Sequence, residues 1–445
     1  MSEIEDLLDK VFGKAKKIGD RVAVFAQKKV SRQVRFSVNK IDVAKEWHEY
    51  SIDVLVEKNN KTHIFSISFK GLERLDEVLK RIEKALELTP PKPYSAPLPE
   101  PAKSYPSIPD VFDKEILGDP DHLIEIAKGA IDSAISEGVK KVAGAIYTNA
   151  YWIGLKTTSG FEMTHSYTNT YLDVRAFHGP LETGHSSIAS RALKNIDPKK
   201  VGETAAYYAN LSRNPKTLGA GEYTALFTPD AVASISNFVG MMASGFAVIA
   251  GYSSFAQKLG QKIAFEELKI SDNPLFTDSY NPVIFDMEGV PTRENIILDG
   301  GVLKTYLHNR ITAKLLNAEH TGNAGWIFPT PWNLVIEPGD MKFEEMISEI
   351  SEGLIIGNVT YIRFQDYVKG DFSGVIRDGV IYVKNGEPKY GVKGLRLSDN
   401  LLRWLQNIKG IGKERRQIYH WWLEMGIPVV STYILVEKAR FTEAL

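Results

Sequence analysis

Three of the nine histidines, His165, His178 and His185, fall within 21 residues, with Glu182 among them. Imidazole and carboxylate are ligand types that zinc and iron accept, so HGPLETGH could supply half a metal site. The spacing matches no motif in which two ligands share one helix face, and histidines on a solvated strand or loop are the plainer reading. A second cluster, NIKGIGKERR at 407–416, sets glycine turns beside Lys409, Lys413, Arg415 and Arg416. Glycine turns let backbone N–H groups meet phosphate, the chemistry of a helix-hairpin-helix contact with DNA. The plainer reading is a glycine-rich loop leaving a helix at 398–408. GDFSG at 370–374 lacks the glycine two residues before the serine that a nucleophile elbow needs, so it reads as a turn between strands. There is no cysteine, which excludes disulfides, thiolate nucleophiles and thiolate zinc sites in this chain and suits the cytoplasm.

Residues 231–257, AVASISNFVGMMASGFAVIAGYSSFAQ, contain no charged side chain. The stretch exceeds the roughly 20 apolar residues that span a bilayer. It nevertheless carries Ser234, Ser236, Asn237, Ser244, Ser253, Ser254 and Gln257, and lacks flanking basic and aromatic anchors. A helix apolar on all sides can equally be buried inside a large protein, and no membrane association is expected. The N-terminus is an amphipathic charged helix, without the basic-then-apolar order of a secretory signal. A net charge of −1 gives no broad electrostatic footprint, so nucleic acid is not an expected partner.

The elements that position these groups divide into segments. Residues 90–109 hold eight of the 21 prolines and read as an extended connector. Before it, VAVFAQKKV, QVRFSVNKI, YSIDVLVEK and HIFSISF have strand length and pattern, and Leu72, Leu75, Leu79, Ile82 and Leu86 form one helical stripe. After it come a helix, DHLIEIAKGAIDSAISEG, the strands KKVAGAIYTN and YWIGLKTTS, a long alternating run at 161–178, and a helix over 198–213. Thr228-Pro229-Asp230 then reads as a helix start, with threonine as cap and proline at the first helical position. Short strands follow, with helices near 308–316, 342–352 and 398–408. The expected class is α+β: an N-terminal antiparallel α/β unit (1–89), a proline-rich connector (90–110), a middle α+β segment (111–215) and a β-rich C-terminal domain (216–445). Mixed and antiparallel sheets with packed helices make up the larger body.

The most specific stretch is FDMEGVPTRENIILDGGVLKTYLHNRITAKLLNAEHTGNA at 285–324, where Asp299-Gly300-Gly301 signals a hairpin. NLVIEPGD at 333–340, EGLIIG at 352–357, GDFSGVIRDGVIYVKNGE at 370–387, LSDNLLRWLQNI at 397–408 and GIPVVSTYILVEK near the end follow in order. Together these segments resemble the TldD/PmbA family, also called modulators of DNA gyrase, over nearly the whole chain.

The resemblance implies a zinc metallopeptidase scaffold. In the TldD branch, the helix after the proline start carries HExxxH: two histidines bind zinc, the glutamate is the base, and a cysteine near the C-terminus is the third ligand. Here those positions fall on Asn237, Phe238 and Met242, and no cysteine exists. The chain therefore resembles the PmbA/TldE branch, with no catalytic residue, metal ligand or cofactor of its own. A TldD-type partner supplies the zinc, and the heterodimer encloses a chamber that cleaves extended peptides. A homodimer is also compatible with the resemblance. Glu288, Thr292, Asn323, Asp371 and Ser373 are candidates for holding the peptide, each with turn formation as its plainer role. Two alternatives stay open: a self-sufficient hydrolase with a metal at His165, His178, Glu182 and His185, and an adaptor on a topoisomerase or nucleic acid through Lys413 and Arg415.

Overall fold

A computed structural model of the chain describes residues 2–444. Its first sheet comprises β1 (Arg21–Ser37), β2 (Lys40–Lys58), β3 (Lys61–Ser68), β4 (Lys141–Thr157), β5 (Glu162–Phe177) and β6 (Thr183–Ser190), all antiparallel, in the order β3-β2-β1-β4-β5-β6. Successive side chains in a strand point to opposite faces. Val22, Val24 and Ala26, with their cross-strand neighbours Val56, Val54 and Ile52, pack on α1 (Ser2–Ala15) and α2 (Leu75–Leu88). Further along the sheet, Ile146, Leu172 and Val174 pack on α3 (Asp121–Ser136) and α4 (Pro198–Leu211). The other face carries Ala23, Leu55 and Leu155 against Val283 and Phe285 of the C-terminal body.

These strands are longer than the sequence pattern suggests. VAVFAQKKV and QVRFSVNKI join into β1, because nothing between Val30 and Gln33 breaks extended backbone. The chain reverses instead at Val38-Asn39, both at positive φ (47° and 67°). KKVAGAIYTN and YWIGLKTTS likewise fuse into β4. β1 pairs with β4 from Ala23 opposite Thr157 to Phe36 opposite Gly144. Strands from segments 1–89 and 111–215 therefore share one sheet across the connector. The connector is extended, without helix or strand, and is strapped down: Arg21 donates to Ser95 Oγ (2.6 Å), and Lys314 donates to the Ser95 carbonyl (2.6 Å).

The second, twelve-stranded sheet comprises β7 (Lys216–Thr217), β8 (Gly221–Phe227), β9 (Ile270–Asp272), β10 (Asn295–Asp299), β11 (Val302–Leu303), β12 (Leu334–Ile336), β13 (Glu352–Asp366), β14 (Asp371–Lys384), β15 (Glu387–Lys393), β16 (Leu395–Asn400), β17 (Ile408–Ile418) and β18 (Val429–Glu443). β8 runs parallel to β13 and β12 parallel to β18, while β10 and β11 form the antiparallel hairpin expected at Asp299-Gly300-Gly301. The helices of this body are α5 (Pro229–Met242), α6 (Gly245–Ile249), α7 (Arg310–Leu316), α8 (Phe343–Ser348) and α9 (Leu401–Gln406). The architecture is the α+β class that the sequence predicts.

Two local expectations are corrected. NIKGIGKERR is neither a loop nor a helical hairpin: residues 408–418 form β17, paired antiparallel with β18. A Cβ at Gly410 would meet the sulfur of Met341, which packs closely on the strand there. GDFSG is not a turn, because Asp371 to Gly374 open β14, and only Gly370 (φ +90°) belongs to the bend before it. Among the described residues no helix is long and apolar enough to cross a membrane.

Candidate functional site

The uncharged stretch begins as α5. Thr228 caps it, its side chain accepting from the Ala231 N–H, and Pro229 fills the first turn. The helix is regular to Met242, and every residue in it except Met241 is buried. Gly240 lets the helix approach Pro331, where a Cβ would sit 2.8 Å from Pro331 Cγ. The helix stops at Ala243, the Gly245 N–H bonds the Leu307 carbonyl (2.8 Å), and α6 starts anew.

The three positions singled out by resemblance are all occupied by packing. Asn237 bridges α5 to the segment before β18: its Oδ1 accepts from the Ile427 N–H (3.1 Å), and its Nδ2 donates to the Ile427 carbonyl (2.8 Å) and the Ala233 carbonyl (3.1 Å). The Phe238 ring lies 5.1 Å from that of Phe364. Met242 is fully buried, and its sulfur accepts from the Ser254 N–H at 3.3 Å. Positions five apart on a helix of 3.6 residues per turn lie about 140° apart, so Asn237 and Met242 meet different neighbours. An amide whose oxygen and nitrogen are both engaged, a phenyl ring and an occupied thioether do not fit a zinc ion.

At the C-terminal end of α5 the surface turns concave. A cavity of about 420 Å³ opens there, lined by Met241, Phe246, Ala247, Phe328, Tyr367 and Met425, with Ile427 in its wall. Phe328 and Tyr252 at its rim are 51% and 58% exposed.

The N-terminal end of α5 is the opposite. Asp230 is completely buried, pairs with Arg416 of β17, and accepts from Ser187 Oγ (2.6 Å) and the Ser187 N–H (3.1 Å). His185 Nε2 lies 2.6 Å from Asp173 Oδ1, and its Nδ1 lies 3.6 Å from Asp230 Oδ1. The His420 ring stands perpendicular to His185 at 5.3 Å, and Arg175 pairs with Asp378 at 2.6 Å. Burial opposes charge on His185, but Asp173 outweighs it and raises the imidazole above its ordinary value. Burial likewise opposes charge on Asp173, and His185 outweighs it and lowers the carboxyl. Burial, with the charge of His185, pushes His420 down to about 4. The network thus favours charge on the His185–Asp173 pair and the neutral form of His420.

The histidines that could have shared a metal are dispersed. His165 bonds the Pro282 carbonyl (2.8 Å), His178 bonds Asn210 Oδ1 (2.6 Å), and Glu182 accepts from the Asn214 N–H (3.0 Å). His165 and His185 lie on different strands, opposite Ile153 and Arg175 respectively. Among the described residues no group of three or more His, Asp or Glu side chains is arranged to hold a metal ion. The metal site expected as an alternative at His165, His178, Glu182 and His185 is therefore not formed.

A family model described as the PmbA/TldA metallopeptidase C-terminal domain matches residues 220–443, half of the chain. The chain belongs to the PmbA/TldD metallopeptidase family. It is 26% identical over 304 residues to a metalloprotease of Methanothermobacter thermautotrophicus, covering 62% of this chain and 64% of that one. It is 26% identical over 310 residues to metalloprotease PmbA of Escherichia coli O157:H7, covering 66% of each. The chain thus spans just under two thirds of the length of these curated relatives. The crystal structure of TldE from Thermococcus kodakarensis superposes with a TM-score of 0.84, covering 98% of this chain and 99% of that one, at 22% identity. At that identity the likeness concerns the fold.

The PmbA/TldD segment at 285–324 folds into a buried polar knot. Glu288 is 1% exposed, accepts from Arg310 Nε (3.0 Å) and lies 2.9 Å from His320 Nε2. Thr292 Oγ1 donates to the Val283 carbonyl (2.6 Å). Asn323 donates to Asp272 Oδ2 (2.5 Å) and accepts from Asn295 (3.0 Å). Arg310 also reaches Glu57 Oε1 of β2 (2.6 Å), joining the first sheet to the body. Asp371 and Ser373 lie apart from these three, on β14, where they accept from Asn400 Nδ2 (2.8 Å) and Gln365 Nε2 (2.9 Å). Sequence reasoning did not find Asp173, Asp230 and His420, because no spacing within one element links them.

Proposed function

We propose that this chain is a non-catalytic PmbA/TldE-like subunit of a TldD/TldE-type zinc metallopeptidase. A zinc-bearing partner supplies metal and base, and this chain supplies a wall of the chamber that receives an extended peptide. The observation that carries the reading is the state of α5: the family's scaffold helix is complete, yet Asn237, Phe238 and Met242 are all occupied by internal packing. The half-exposed apolar surface at its C-terminal end supports a role for that face in binding. Peptide main chain would be held by sequence-tolerant hydrogen bonding, as in strand addition. Asp371, only partly buried, is the candidate holding residue best able to meet a peptide, while Glu288, Thr292, Asn323 and Ser373 shape the wall from within. The adaptor reading has less support, since Lys409, Arg415 and Arg416 are paired with carboxylates. A chain without cysteine fits work in the cytoplasm.

The test is elemental analysis and peptide hydrolysis on the purified chain, alone and after co-expression with a TldD-type relative that has the intact motif. The expected result is no stoichiometric zinc and no hydrolysis alone, and both in the co-purified pair. Stoichiometric zinc or chelator-sensitive hydrolysis in the lone chain overturns the reading.

A further inference from the structure

The cavity at the end of α5 has features that a plain subunit contact does not need. Its lining contains no charged side chain. An acidic or basic side chain entering it would lose its hydration without gaining a partner. Its volume of about 420 Å³ exceeds the roughly 150 Å³ of an apolar cavity that accepts benzene, so it has room for one large aromatic or branched side chain and adjoining main chain. Met241 and Met425 are unbranched and polarizable, and can adapt to occupants of different shape.

The cavity is preformed. Asn237 fixes Ile427 in its wall through two hydrogen bonds, and Ser244 Oγ donates to the Pro329 carbonyl (2.7 Å) beneath Phe328 and Thr330. Around it, the hydroxyls of Tyr252, Thr330 and Tyr367 have no hydrogen-bond partner among the described residues. An apolar depth with a few free polar groups at the mouth is the usual form of a ligand site, where the depth selects and the polar groups orient.

We infer that this cavity is a side-chain subsite of the peptide chamber, taking one bulky apolar residue of the aromatic or leucine class while the rim hydroxyls bond the adjoining main chain. The inference rests on the chamber reading above. Selectivity then resides in the subunit without the metal motif, at the end of the helix that carries the degenerate positions.

The experiment uses the whole 445-residue chain and two fluorescein-labelled peptides of glycine, serine and threonine, identical except for a central phenylalanine or alanine. Fluorescence anisotropy is expected to show the phenylalanine peptide binding about tenfold or more tightly, the effect of burying one aromatic side chain. Ala247→Trp fills the cavity and is expected to remove the difference. Phe328→Asp, at a half-exposed position, is expected to do the same by placing a charge at the mouth. Equal binding of the two peptides, or a difference that survives both variants, overturns the inference. A dimer that Phe328→Asp dissociates with peptide discrimination unchanged also overturns it, assigning the cavity to a second copy of the chain. Zinc in the lone chain would sink the subunit reading but leave these binding ratios readable, so the two failures are distinguishable.

Discussion

The two ends of α5 differ in kind. At the N-terminal end, Asp230, His185 and Asp173 are buried where the first sheet meets the body, and their charges pair with one another and with the partly exposed Arg416. At the C-terminal end, Met241, Phe328 and Met425 surround open space, and large apolar surface faces solvent. Charged chemistry in the interior is not in itself a sign of a site. Here it fixes how two sheets sit against one helix, whereas the exposed apolar end has free surface to offer a ligand. The difference follows from what each end presents: paired charges at the first, uncharged surface facing solvent at the second.

The strongest way to break this comparison is at the buried end. Asp230→Ala removes the fully buried carboxylate that Arg416 and Ser187 bond, and the loss expected is about 3–5 kcal/mol. A denaturant or thermal unfolding midpoint indistinguishable from that of the parent chain would show that the network is not structural.

The next effect is acid sensitivity. His420 and His308 are both held near 4, below their ordinary 6.5, mainly by burial. The unfolded chain takes up their protons first, so stability falls as pH drops from about 6.5 toward 4, by about 3 kcal/mol per group at the acid end. His185 acts oppositely: its raised value makes its contribution complete below about pH 6.5 and lost as pH rises through the folded value. His420→Phe is therefore expected to flatten the acid limb of a stability–pH curve and leave the limb above pH 7 in place. An unchanged acid limb would remove His420 from the account.

Between the two ends, Asn237→Ala breaks both bonds to Ile427 and leaves that backbone N–H and carbonyl without their partner. The expected loss is about 1–3 kcal/mol, with faster proteolysis of residues 419–427 as the local readout. The smallest change belongs to the open end. Met425→Ser, at a position 40% exposed, is expected to move stability by no more than about 0.5 kcal/mol. A loss as large as that of Asp230→Ala would mean that both ends are structural and would end the contrast.

Much of the fold was legible because its signals are local. The Thr228 cap and Pro229 place the start of α5, the turn at Asp299-Gly300-Gly301 places a hairpin, and period-two patterns place the long strands. Where reading failed, the competing contact was distant. Residues 408–418 carry glycines and charges that suit a loop, yet β18 pairs with them and makes them a strand. The four-residue metal cluster failed because nearness in sequence says nothing about which strand face a histidine occupies. The five candidate holding residues were located by motif, but the burial of Glu288, Thr292 and Asn323 depends on Arg310, His320, Val283 and Asp272.

By itself, the sequence determined the α+β class, which depends on residue types and on periodicity within single elements, and its ordered motifs carried the resemblance to a peptidase family. Only the tertiary structure decided that β1 pairs with β4 across the proline connector, that Arg416 meets Asp230, and that residues from 241–252, 328–331, 367 and 425–427 enclose one cavity. Capping and periodicity act over a few residues, whereas strand pairing, charge burial and concavity are set by which distant surfaces the folded chain brings together.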